Sequence, residues 1–403
     1  TTITDGNGDY TFDDVTPGIY NVVQQNFDGS YTSVGDSDGG NDDTVAVTIA
    51  TGEELTASFI DEQQANITGN VSADTDNDNA GNVGLENVTL ELQNLDGTVA
   101  RTVTTDANGD YIFADVTPGT YNIVHVTPSG YQHITDSDGD ANGDNTIAIA
   151  IATGQDIADN NFVDEELGSI SGTVRGLGDG GVQLLSGVTI ELKDLSGTTI
   201  NTAVTDVDGK YRLSGVAPGT YNVVQIIPDG YQSFSDSDGG NSNSISVTTS
   251  SGEHVIGKFF FDEELGIING KVEQDTNNDD LGDSPIEAVT VELQDTSGNI
   301  VQTATTAADG TYSFVDVVPG EYNIVQQNLD GSYVNISDTD GANDNTINVN
   351  ISRGQTLTGN NFIDEQPASI TGTVTSDTDN DDVGNIGIGG VTVELRNPDG
   401  TVA

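Results

Sequence analysis

Three short stretches of the sequence place carboxylate or amide side chains at every second position: DTDNDNAGN from Asp74, DTNNDDLGD from Asp275 and DTDNDDVGN from Asp377. All follow the pattern D-x-[DN]-N-D-[DN]-x-G-[DN], in which positions one, three, five and nine carry side-chain oxygens. These positions are Asp74, Asp76, Asp78 and Asn82, then Asp275, Asn277, Asp279 and Asp283, then Asp377, Asp379, Asp381 and Asn385. Calcium takes six to eight oxygen ligands in flexible geometry, and side chains at alternate loop positions can surround one ion. The spacing therefore predicts a calcium site in each loop.

The likeness to an EF-hand loop covers only its first half. Glycine stands at position eight, and a glutamate occurs only at position thirteen of two copies, at Glu86 and Glu287, where the other copy has Gly389. The alternative is a solvated acidic loop, which is what most charge runs are. Constant spacing in copies that differ elsewhere favours the calcium site. The corresponding segment at 174–188, VRGLGDGGVQLLSGV, keeps only Asp179, so we predict no metal site there.

Two further acidic clusters recur at fixed places. A DSD or DTD motif begins five residues after a tyrosine, and its aspartates are Asp36, Asp38, Asp136, Asp138, Asp236, Asp238, Asp338 and Asp340. A DE pair closes each repeated segment, and its aspartates are Asp61, Asp164, Asp262 and Asp364. For the first cluster, a calcium site and a plain Asx-rich turn both stay open. The closing aspartates are predicted to lie at domain junctions, as ligands of an ion shared with an adjoining acidic loop or as part of a hydrated linker.

The sequence offers little for catalysis. There is no cysteine, which excludes disulfides, a thiolate nucleophile and a zinc–thiolate site. The three histidines, His125, His133 and His254, are predicted to be isolated surface residues without equivalents in other repeats. Carboxylate pairs on short, repeated loops lack the cleft that a glycoside hydrolase needs. We therefore predict that the chain is not an enzyme.

The chain as a whole is strongly acidic. Its 403 residues include 66 Asp and Glu but only 9 Lys and Arg, for a formal charge of -57. This charge argues against nucleic acid or an anionic membrane as partner, because both require a basic surface. Cations are the expected partners, although an acidic surface is also suited to high salt. No apolar run is long enough for a signal peptide or membrane span, and the first residue is Thr1, so the chain is interpreted as processed or as an excerpt.

Internal repeats define the domains. The segments GDYTFDDVTPGIYNVV, GDYIFADVTPGTYNIV, GKYRLSGVAPGTYNVV and GTYSFVDVVPGEYNIV recur about every hundred residues, starting at Gly8, Gly109, Gly209 and Gly310. Complete repeats are predicted at 65–166, 167–264 and 265–366. Residues 1–64 match the last two-thirds of a repeat, and residues 367–403 match the first third. The chain is therefore either an excerpt of a tandem array or a subunit whose partial domains complete those of neighbouring copies head to tail.

One repeat, at 65–166, shows the pattern of strands and turns. Strands are predicted at 67–71, 88–92, 98–105, 111–114, 121–126, 146–151 and 157–163, with period-two alternation in several of them. The turn sequences NLDG, DANG, TPG and ATG separate them. No window shows sustained helical periodicity. The fold class predicted is all-β, a tandem array of immunoglobulin-like, Greek-key β-sandwich domains of about seven strands that form an elongated rod.

The ordered series SITGTV, DTDNDDVGN, GVTVELRNPDGTVA and TDxNGDYTFDDVTPGTYNVV resembles the SdrD B-like repeat, a relative of the Cna-B-type and carboxypeptidase-regulatory-like sandwiches of bacterial surface proteins. The resemblance covers every repeat of the chain. It implies extracellular, calcium-binding, rod-forming domains in the stalk of an adhesin or surface filament. The acidic loop here is shorter than is common in the family and ends in GLENV instead of a GEPG-like sequence, which leaves the last calcium ligand open.

The predicted function is a structural repeat region of an extracellular surface fibre or adhesin stalk, stiffened by calcium. The expected partners are calcium and adjacent copies of the chain. Two alternatives stay open, a ligand-binding adhesin module for carbohydrate or protein and a filament subunit that polymerises head to tail. Near-identical acidic copies without a unique pocket favour the stalk, because a binding module would be unique and terminal.

Overall fold

The structure is a computed structural model that describes residues 1–25, 29–139, 144–327 and 331–403. Throughout these residues the regular elements are β-strands, and the described part of the chain contains no helix. Alternation of side chains explains the strands: Thr146–Ile151 buries every second residue, and Asp110–Val116 buries Tyr111, Phe113 and Val116. Positive-φ residues such as Gly109, at 82°, close the turns between them.

The strands are numbered along the chain. The N-terminal partial repeat contributes β1 (Gly18–Val23), β2 (Tyr31–Asp36), β3 (Thr44–Ile49) and β4 (Phe59–Gln63). The repeat at 65–166 contributes β5 (Ala65–Asp74), β6 (Val83–Gly84), β7 (Thr89–Asn94), β8 (Val99–Thr104), β9 (Asp110–Val116), β10 (Gly119–Val126), β11 (Tyr131–Asp136), β12 (Thr146–Ile151) and β13 (Phe162–Glu166). The repeat at 167–264 contributes β14 (Gly168–Gly178), β15 (Gly181–Leu184), β16 (Thr189–Lys193), β17 (Thr199–Val204), β18 (Lys210–Val216), β19 (Gly219–Gln225), β20 (Tyr231–Asp236), β21 (Ser244–Thr249) and β22 (His254–Glu264).

The remaining strands follow the same order. The repeat at 265–366 contributes β23 (Gly266–Asp275), β24 (Ser284–Pro285), β25 (Thr290–Asp295), β26 (Ile300–Thr305), β27 (Thr311–Val317), β28 (Gly320–Gln326), β29 (Val334–Asp338), β30 (Thr346–Ile351), β31 (Thr356–Leu357) and β32 (Phe362–Glu365). The C-terminal partial repeat contributes β33 (Thr375–Ser376) and β34 (Ile386–Gly387).

Each complete repeat is a sandwich of two sheets. At 65–166, one sheet has the order β12-β10-β7-β8 and the other the order β11-β13-β5-β6, with β9 also paired to β5. The first half of β5 pairs with β9, and its second half pairs in parallel with β13. The repeat at 167–264 has the orders β21-β19-β16-β17 and β20-β22-β14-β15, and that at 265–366 has β30-β28-β25-β26 and β29-β32-β23-β24. The predicted immunoglobulin-like sandwich is confirmed.

Each complete repeat also has its own hydrophobic core. An alternating triplet that begins one residue before β7, β16 or β25 belongs to this core. None of these side chains is more than 4% exposed: Val88, Leu90 and Leu92, then Val188, Ile190 and Leu192, then Val289, Val291 and Leu293. The described chain forms two compact units, Thr1–Gly176 with Val182–Asp229 and Ser233–Asp262, and Leu177–Gly181 with Gly230–Gln232 and Glu263–Ala403. The first unit contains the cores at 65–166 and 167–264, and the second contains the core at 265–366.

A glycine in the first strand of each complete repeat permits a close backbone approach. A Cβ added to Gly69 would lie 1.9 Å from the carbonyl oxygen of Asn160, so no other residue fits without displacement of the backbone. The same oxygen accepts a hydrogen bond of 2.6 Å from the Tyr111 hydroxyl. Gly172 and Gly270 occupy the equivalent positions, with added Cβ atoms 1.4 and 1.9 Å from a carbonyl oxygen. The glycine of NITGNV and the tyrosine of GDY therefore form one structural unit.

Two strand predictions at 65–166 need correction. Strand β11, Tyr131–Asp136, was not predicted, because this polar edge strand lacks an apolar alternation and, among the described strands, pairs with β13 alone. The last strand is Phe162–Glu166 instead of 157–163, and Ile157 makes an isolated bridge with Ile67. The residues interpreted as a junction, DE, are thus part of a strand that lies inside the sandwich.

The partial repeats are less complete. Residues 1–64 form two two-stranded sheets, β1-β3 and β2-β4, and residues 367–403 contain only the short pair β33-β34 and an isolated bridge. Val391, Val393 and Leu395, which correspond to the buried triplets, are 48%, 75% and 60% exposed. The front third of a repeat therefore does not enclose its own core.

Candidate metal-binding loops and family membership

The first acidic loop is organised around the side chain of Asp74, which is the last residue of β5. Its carboxylate is fully buried, and it accepts backbone N–H groups from Asp76 at 3.1 Å and Asn77 at 2.8 Å on Oδ1 and from Asn79 at 2.7 Å on Oδ2. Burial acts to raise the pKa of Asp74, but these N–H donors outweigh it, so the pKa lies below its ordinary value. The loop therefore holds an ionised carboxylate at position one.

The structure brings the predicted ligands of this loop together. One carboxylate oxygen from each of Asp74, Asp76 and Asp78 lies within 4.8 Å of the others. Asn82, at position nine, folds back so that its Oδ1 accepts the Thr75 backbone N–H at 2.7 Å. Three carboxylates that converge in this way repel one another unless a cation lies between them, and their oxygens are the ligands that calcium prefers.

The remaining positions of the pattern have conformational roles. Positions four and six are in the left-handed region, with φ values of 64° at both Asn77 and Asn79, and Asn and Asp tolerate this conformation best after glycine. Glycine at position eight is needed because a Cβ on Gly81 would lie 1.7 Å from Ser72 Oγ in the adjoining strand. The alternation in sequence thus separates ligand positions from turn positions.

The other two acidic loops have the same geometry. Asp275 accepts N–H groups from positions three, four and six at 2.9, 2.8 and 2.7 Å, and Asp377 does so at 3.1, 2.8 and 2.8 Å. The carboxylates of Asp377, Asp379 and Asp381 also converge within 4.8 Å. In the middle loop position three is the amide Asn277, which is 3.4 Å from the position-nine carboxylate of Asp283.

The segment at 174–188 is built differently. Strand β14 continues to Gly178 and turns directly into β15, with Gly181 at a φ of 94°. Asp179 lies in this tight turn, which lacks the alternating side-chain oxygens of the acidic loops. That this repeat binds no metal here stays a prediction.

The second acidic cluster forms a compact turn after β2, β11, β20 and β29. In each turn of the pairs Asp36/Asp38, Asp236/Asp238 and Asp338/Asp340, both aspartates accept the same backbone N–H, from Gly40, Gly240 or Ala342, at 2.9–3.3 Å. This holds two carboxylates side by side. Residues 140–143 of the copy that begins at Asp136 lie outside the described residues.

Like charges in these turns perturb each other. Burial and then a side-chain hydrogen bond with Asp238 raise the pKa of Asp236, and the same side-chain hydrogen bond lowers the pKa of Asp238. Burial and Asp138 likewise raise the pKa of Asp136 to about 6. The arrangement fits either a cation site or an Asx-type turn with one proton held between two carboxylates.

The closing aspartates do not face the junctions, which corrects the predicted location. Asp164, Asp262 and Asp364 are at most 1% exposed, inside their own repeats. The amides of Gln24, Gln225 and Gln326 donate to the carboxylates of Asp61, Asp262 and Asp364. Burial raises the pKa of Asp262 to about 6, and the Gln225 hydrogen bond partly offsets this. Each of these three aspartates lies two residues after a buried phenylalanine, on the same face of its strand.

Main-chain groups make the contacts at the junctions instead. A glycine N–H of one repeat donates to a carbonyl at the end of the preceding repeat, and each pair lies inside one compact unit: Gly154 to Gln63 at 2.9 Å, Gly252 to Glu166 at 2.8 Å and Gly354 to Glu264 at 3.0 Å. Arg353 Nε also lies 2.7 Å from Glu263 Oε2. The sequence does not predict these contacts, because every residue except proline has the same backbone N–H donor.

The prediction of isolated surface histidines is wrong for two of the three. His125 and His133 are buried together beside Asp164, whereas His254 is exposed and contacts Ser169 Oγ at 3.1 Å. An alignment of the repeats contains the missed signal: His125 stands where Gln24, Gln225 and Gln326 stand elsewhere.

Comparison with known proteins identifies the repeats. A family model for the SdrD B-like domain matches residues 65–164, 173–261 and 267–367. The chain belongs to the SdrD B-like domain family. Serine-aspartate repeat-containing protein F of Staphylococcus epidermidis is 30% identical over 359 residues, which cover 80% of this chain and 22% of that protein. Serine-aspartate repeat-containing protein D of Staphylococcus aureus is 33% identical over 297 residues, 68% of this chain and 22% of that protein.

The chain of SdrD B-like repeats thus spans about a fifth of the length of these curated relatives. Among solved structures, BcpA, the major pilin subunit of Bacillus cereus, matches with a TM-score of 0.31 and 14% identity over 76% of this chain and 100% of that chain. The family places these repeats on the cell surface or outside the cell, in the repeat region of a surface protein. Among the described residues, no helix is long and apolar enough to span a membrane.

Proposed function

We propose that this chain is the structural repeat region of a bacterial surface fibre or adhesin stalk, and that calcium bound in the acidic loops stiffens its repeats. The observation that carries the proposal is the common geometry of the loops that start at Asp74, Asp275 and Asp377, each with a carboxylate held ionised at position one. The relatives named above are repeat-containing surface proteins, which favours a structural role over a catalytic one. The ligand-binding and filament-subunit alternatives stay predictions.

The position of the loop explains how an ion would stiffen a repeat. Asp74 ends β5 and is paired in parallel register with Glu165 on β13, the last strand of the same repeat. Asp74 also contributes to the raised pKa of Glu165, after burial and against a hydrogen bond from Gln132. An ion between Asp74, Asp76 and Asp78 would therefore neutralise charge at the end of the repeat, next to the chain that leads to the following domain.

Calcium sites of the affinity expected here would be occupied only outside the cell. Extracellular modules bind calcium with dissociation constants of about 10⁻⁴ to 10⁻³ M, which suits millimolar external calcium and leaves such sites empty in cytosol. A ligand that binds only the folded state stabilises it by about 0.4–1.4 kcal/mol when its concentration is one to ten times its dissociation constant. For a domain of about a hundred residues, this corresponds to a rise in Tm of roughly 2–11 °C.

Calorimetric melts of the full chain with calcium and with chelator test the proposal. The matched variant combines Asp78→Asn, Asp279→Asn and Asp381→Asn, because an amide oxygen can still accept the N–H bonds of 2.8, 3.1 and 3.0 Å that these carboxylates receive. We expect calcium to raise the Tm of the wild type and to have little effect on the variant. In chelator the two should melt alike.

A single exposed charge provides the control. Glu321→Gln removes one negative charge from the exposed position of β28 and should keep the full calcium response. A wild type that melts at the same temperature in calcium and in chelator would refute the calcium-stiffened stalk. A combined variant that keeps the full response would refute the three loops as its sites.

A further inference from the structure

A second type of polar cluster lies inside the repeat at 65–166. His125 on β10, His133 on β11 and Asp164 on β13 meet between the two sheets, with side chains 0%, 3% and 0% exposed. Strand β10 belongs to one sheet, and β11 and β13 belong to the other. The three side chains therefore connect both layers of the sandwich within its core.

The ligand atoms of this cluster are close to one another but do not form hydrogen bonds. His125 Nε2 lies 3.0 Å from Asp164 Oδ2, and His133 Nδ1 lies 3.4 Å from Asp164 Oδ1. None of these four buried atoms has a hydrogen-bond partner within the described residues. Ligands of a tetrahedral zinc ion, at about 2.0–2.1 Å from the metal, are separated by about 3.3 Å and point at the ion instead of at each other. The observed separations match that arrangement.

A fourth side chain orients one of the imidazoles. Asp136 Oδ2 lies 3.6 Å from His133 Nε2, the nitrogen opposite to the one that faces Asp164. Metal-binding histidines commonly have a carboxylate on their second nitrogen, which sets the tautomer and increases the basicity of the ligand. Phe162 forms an apolar wall, with its ring 5.1 Å from that of His125 and stacked at 23°.

Comparison with the other repeats shows that this cluster is specific to one of them. Where the repeat at 65–166 has His125, the others have Gln24, Gln225 and Gln326, whose amides donate to the closing aspartate. Where it has His133, the others have Ser33, Ser233 and Asn335. Two imidazoles thus replace an amide that donates to the closing aspartate. Within the described residues, both oxygens of Asp164 and all four imidazole nitrogens then lack a hydrogen-bond partner, whereas Asp262 and Asp364 each keep one bonded oxygen.

We propose that His125, His133 and Asp164 bind one zinc-class divalent transition-metal ion, and that Asp136 positions His133. Two imidazole nitrogens and one carboxylate are suited to zinc, whereas calcium prefers six to eight oxygens. The ion would link the two sheets of the repeat, which the chain cannot do with a disulfide because it has no cysteine. This site is separate from the loops that start at Asp74, Asp275 and Asp377 and from their proposed calcium.

Cobalt titration of the full chain in excess calcium tests this site, because calcium occupies oxygen ligands and tetrahedral Co²⁺ with nitrogen ligands absorbs visible light. We expect one equivalent of Co²⁺ to bind, with a visible absorption band that zinc abolishes. His125→Gln and His133→Ser should each lose the band and at least tenfold in affinity. Both variants carry the residue of another repeat, so they are expected to fold.

Two further variants separate positioning from ligation. Asp136→Asn should keep the band with an affinity lowered by about tenfold, as for other partners of metal-bound histidines. His254→Gln, at the exposed histidine, should change nothing. A wild type without the band would overturn the proposal. A band that persists in His125→Gln would also overturn it, because the absorbing ion would then not be held by this imidazole.

The site can also be transferred. Gln225→His combined with Ser233→His places the same pair beside Asp262 in the repeat at 167–264. A second equivalent of Co²⁺ with the same absorption band is expected. If this variant folds and binds no additional ion, the three side chains are not sufficient for a site and the assignment is wrong.

Discussion

Replacement of Asp74 by asparagine separates the structural role of the first acidic loop from its proposed ligation of calcium. The Asp74 carboxylate accepts three backbone N–H groups, at 3.1, 2.8 and 2.7 Å. An asparagine side chain at this position would keep one acceptor oxygen and would present an NH₂ group to the donor on the other side. By contrast, Asp78→Asn keeps an acceptor oxygen for the N–H of Ala80, which Asp78 Oδ1 accepts at 2.8 Å.

The expected cost follows from these bonds. Loss of one charge-assisted hydrogen bond, with a buried donor left unpaired, costs about 1–3 kcal/mol, and the other two bonds become weaker once their acceptor is neutral. Asp74→Asn should therefore destabilise the loop by about 2–4 kcal/mol even without calcium, a roughly 30- to 700-fold rise in local opening. Asp78→Asn, at an exposed position, should change opening by less than about 0.5 kcal/mol in chelator.

Hydrogen exchange measured by mass spectrometry on a peptide that covers 71–88 reports this opening in the full chain. In chelator, Asp74→Asn should exchange much faster than the wild type, and Asp78→Asn should match the wild type. In calcium, both variants should exchange faster, because both have lost a charged ligand. Equal exchange of the two variants in chelator would refute the role assigned to the Asp74 N–H bonds.

Three further predictions address packing, pH and the junction. Gly69→Ala should destabilise its repeat by about 3 kcal/mol in chemical denaturation, because the new Cβ would lie 1.9 Å from the Asn160 oxygen. Burial raises the pKa of Tyr111, so the stability that its neutral hydroxyl contributes below pH 10 should be lost as the pH rises above 10. Tyr111→Phe should lower the free energy of unfolding by about 1 kcal/mol at pH 7 and reduce this alkaline loss, as measured in thermal melts. Arg353→Ala should cost about 0.5–1 kcal/mol, measured in a double-mutant cycle with Glu263→Gln, and an additive cycle would contradict the 2.7 Å ion pair.

The sandwich and the acidic loops were predictable because each rests on a repeated pattern. The triplets such as Val88, Leu90 and Leu92 alternate with the period of a strand, and they form the core of each complete repeat. The ligand positions of the loops were also visible in the sequence. The conformational role of Asn77 and Asn79 was not, since a left-handed backbone and a metal ligand both favour Asn and Asp.

The errors in prediction came from polar residues that lie in strands. Strand β11 and the DEE end of β13 have no apolar alternation, so they resembled loop and linker, yet β13 places Asp164 in the core. The pair His125 and His133 was missed for the same reason, because their proximity depends on β10 and β11 meeting across the two sheets. Pairing between strands distant in sequence leaves no mark in the local pattern.

Single-molecule unfolding of the full chain tests the calcium-stiffened stalk most directly, since each complete repeat unfolds as a separate event. The three events should be the repeats at 65–166, 167–264 and 265–366. Calcium is predicted to raise the unfolding force of the repeats at 65–166 and 265–366 and to leave that of the repeat at 167–264 unchanged. The reason is that the segment at 174–188 is a tight hairpin without the alternating side-chain oxygens of the acidic loops. In chelator the three forces should converge. An equal rise for all three events, or no rise for any, would contradict the assignment of stiffening to the loops at Asp74 and Asp275.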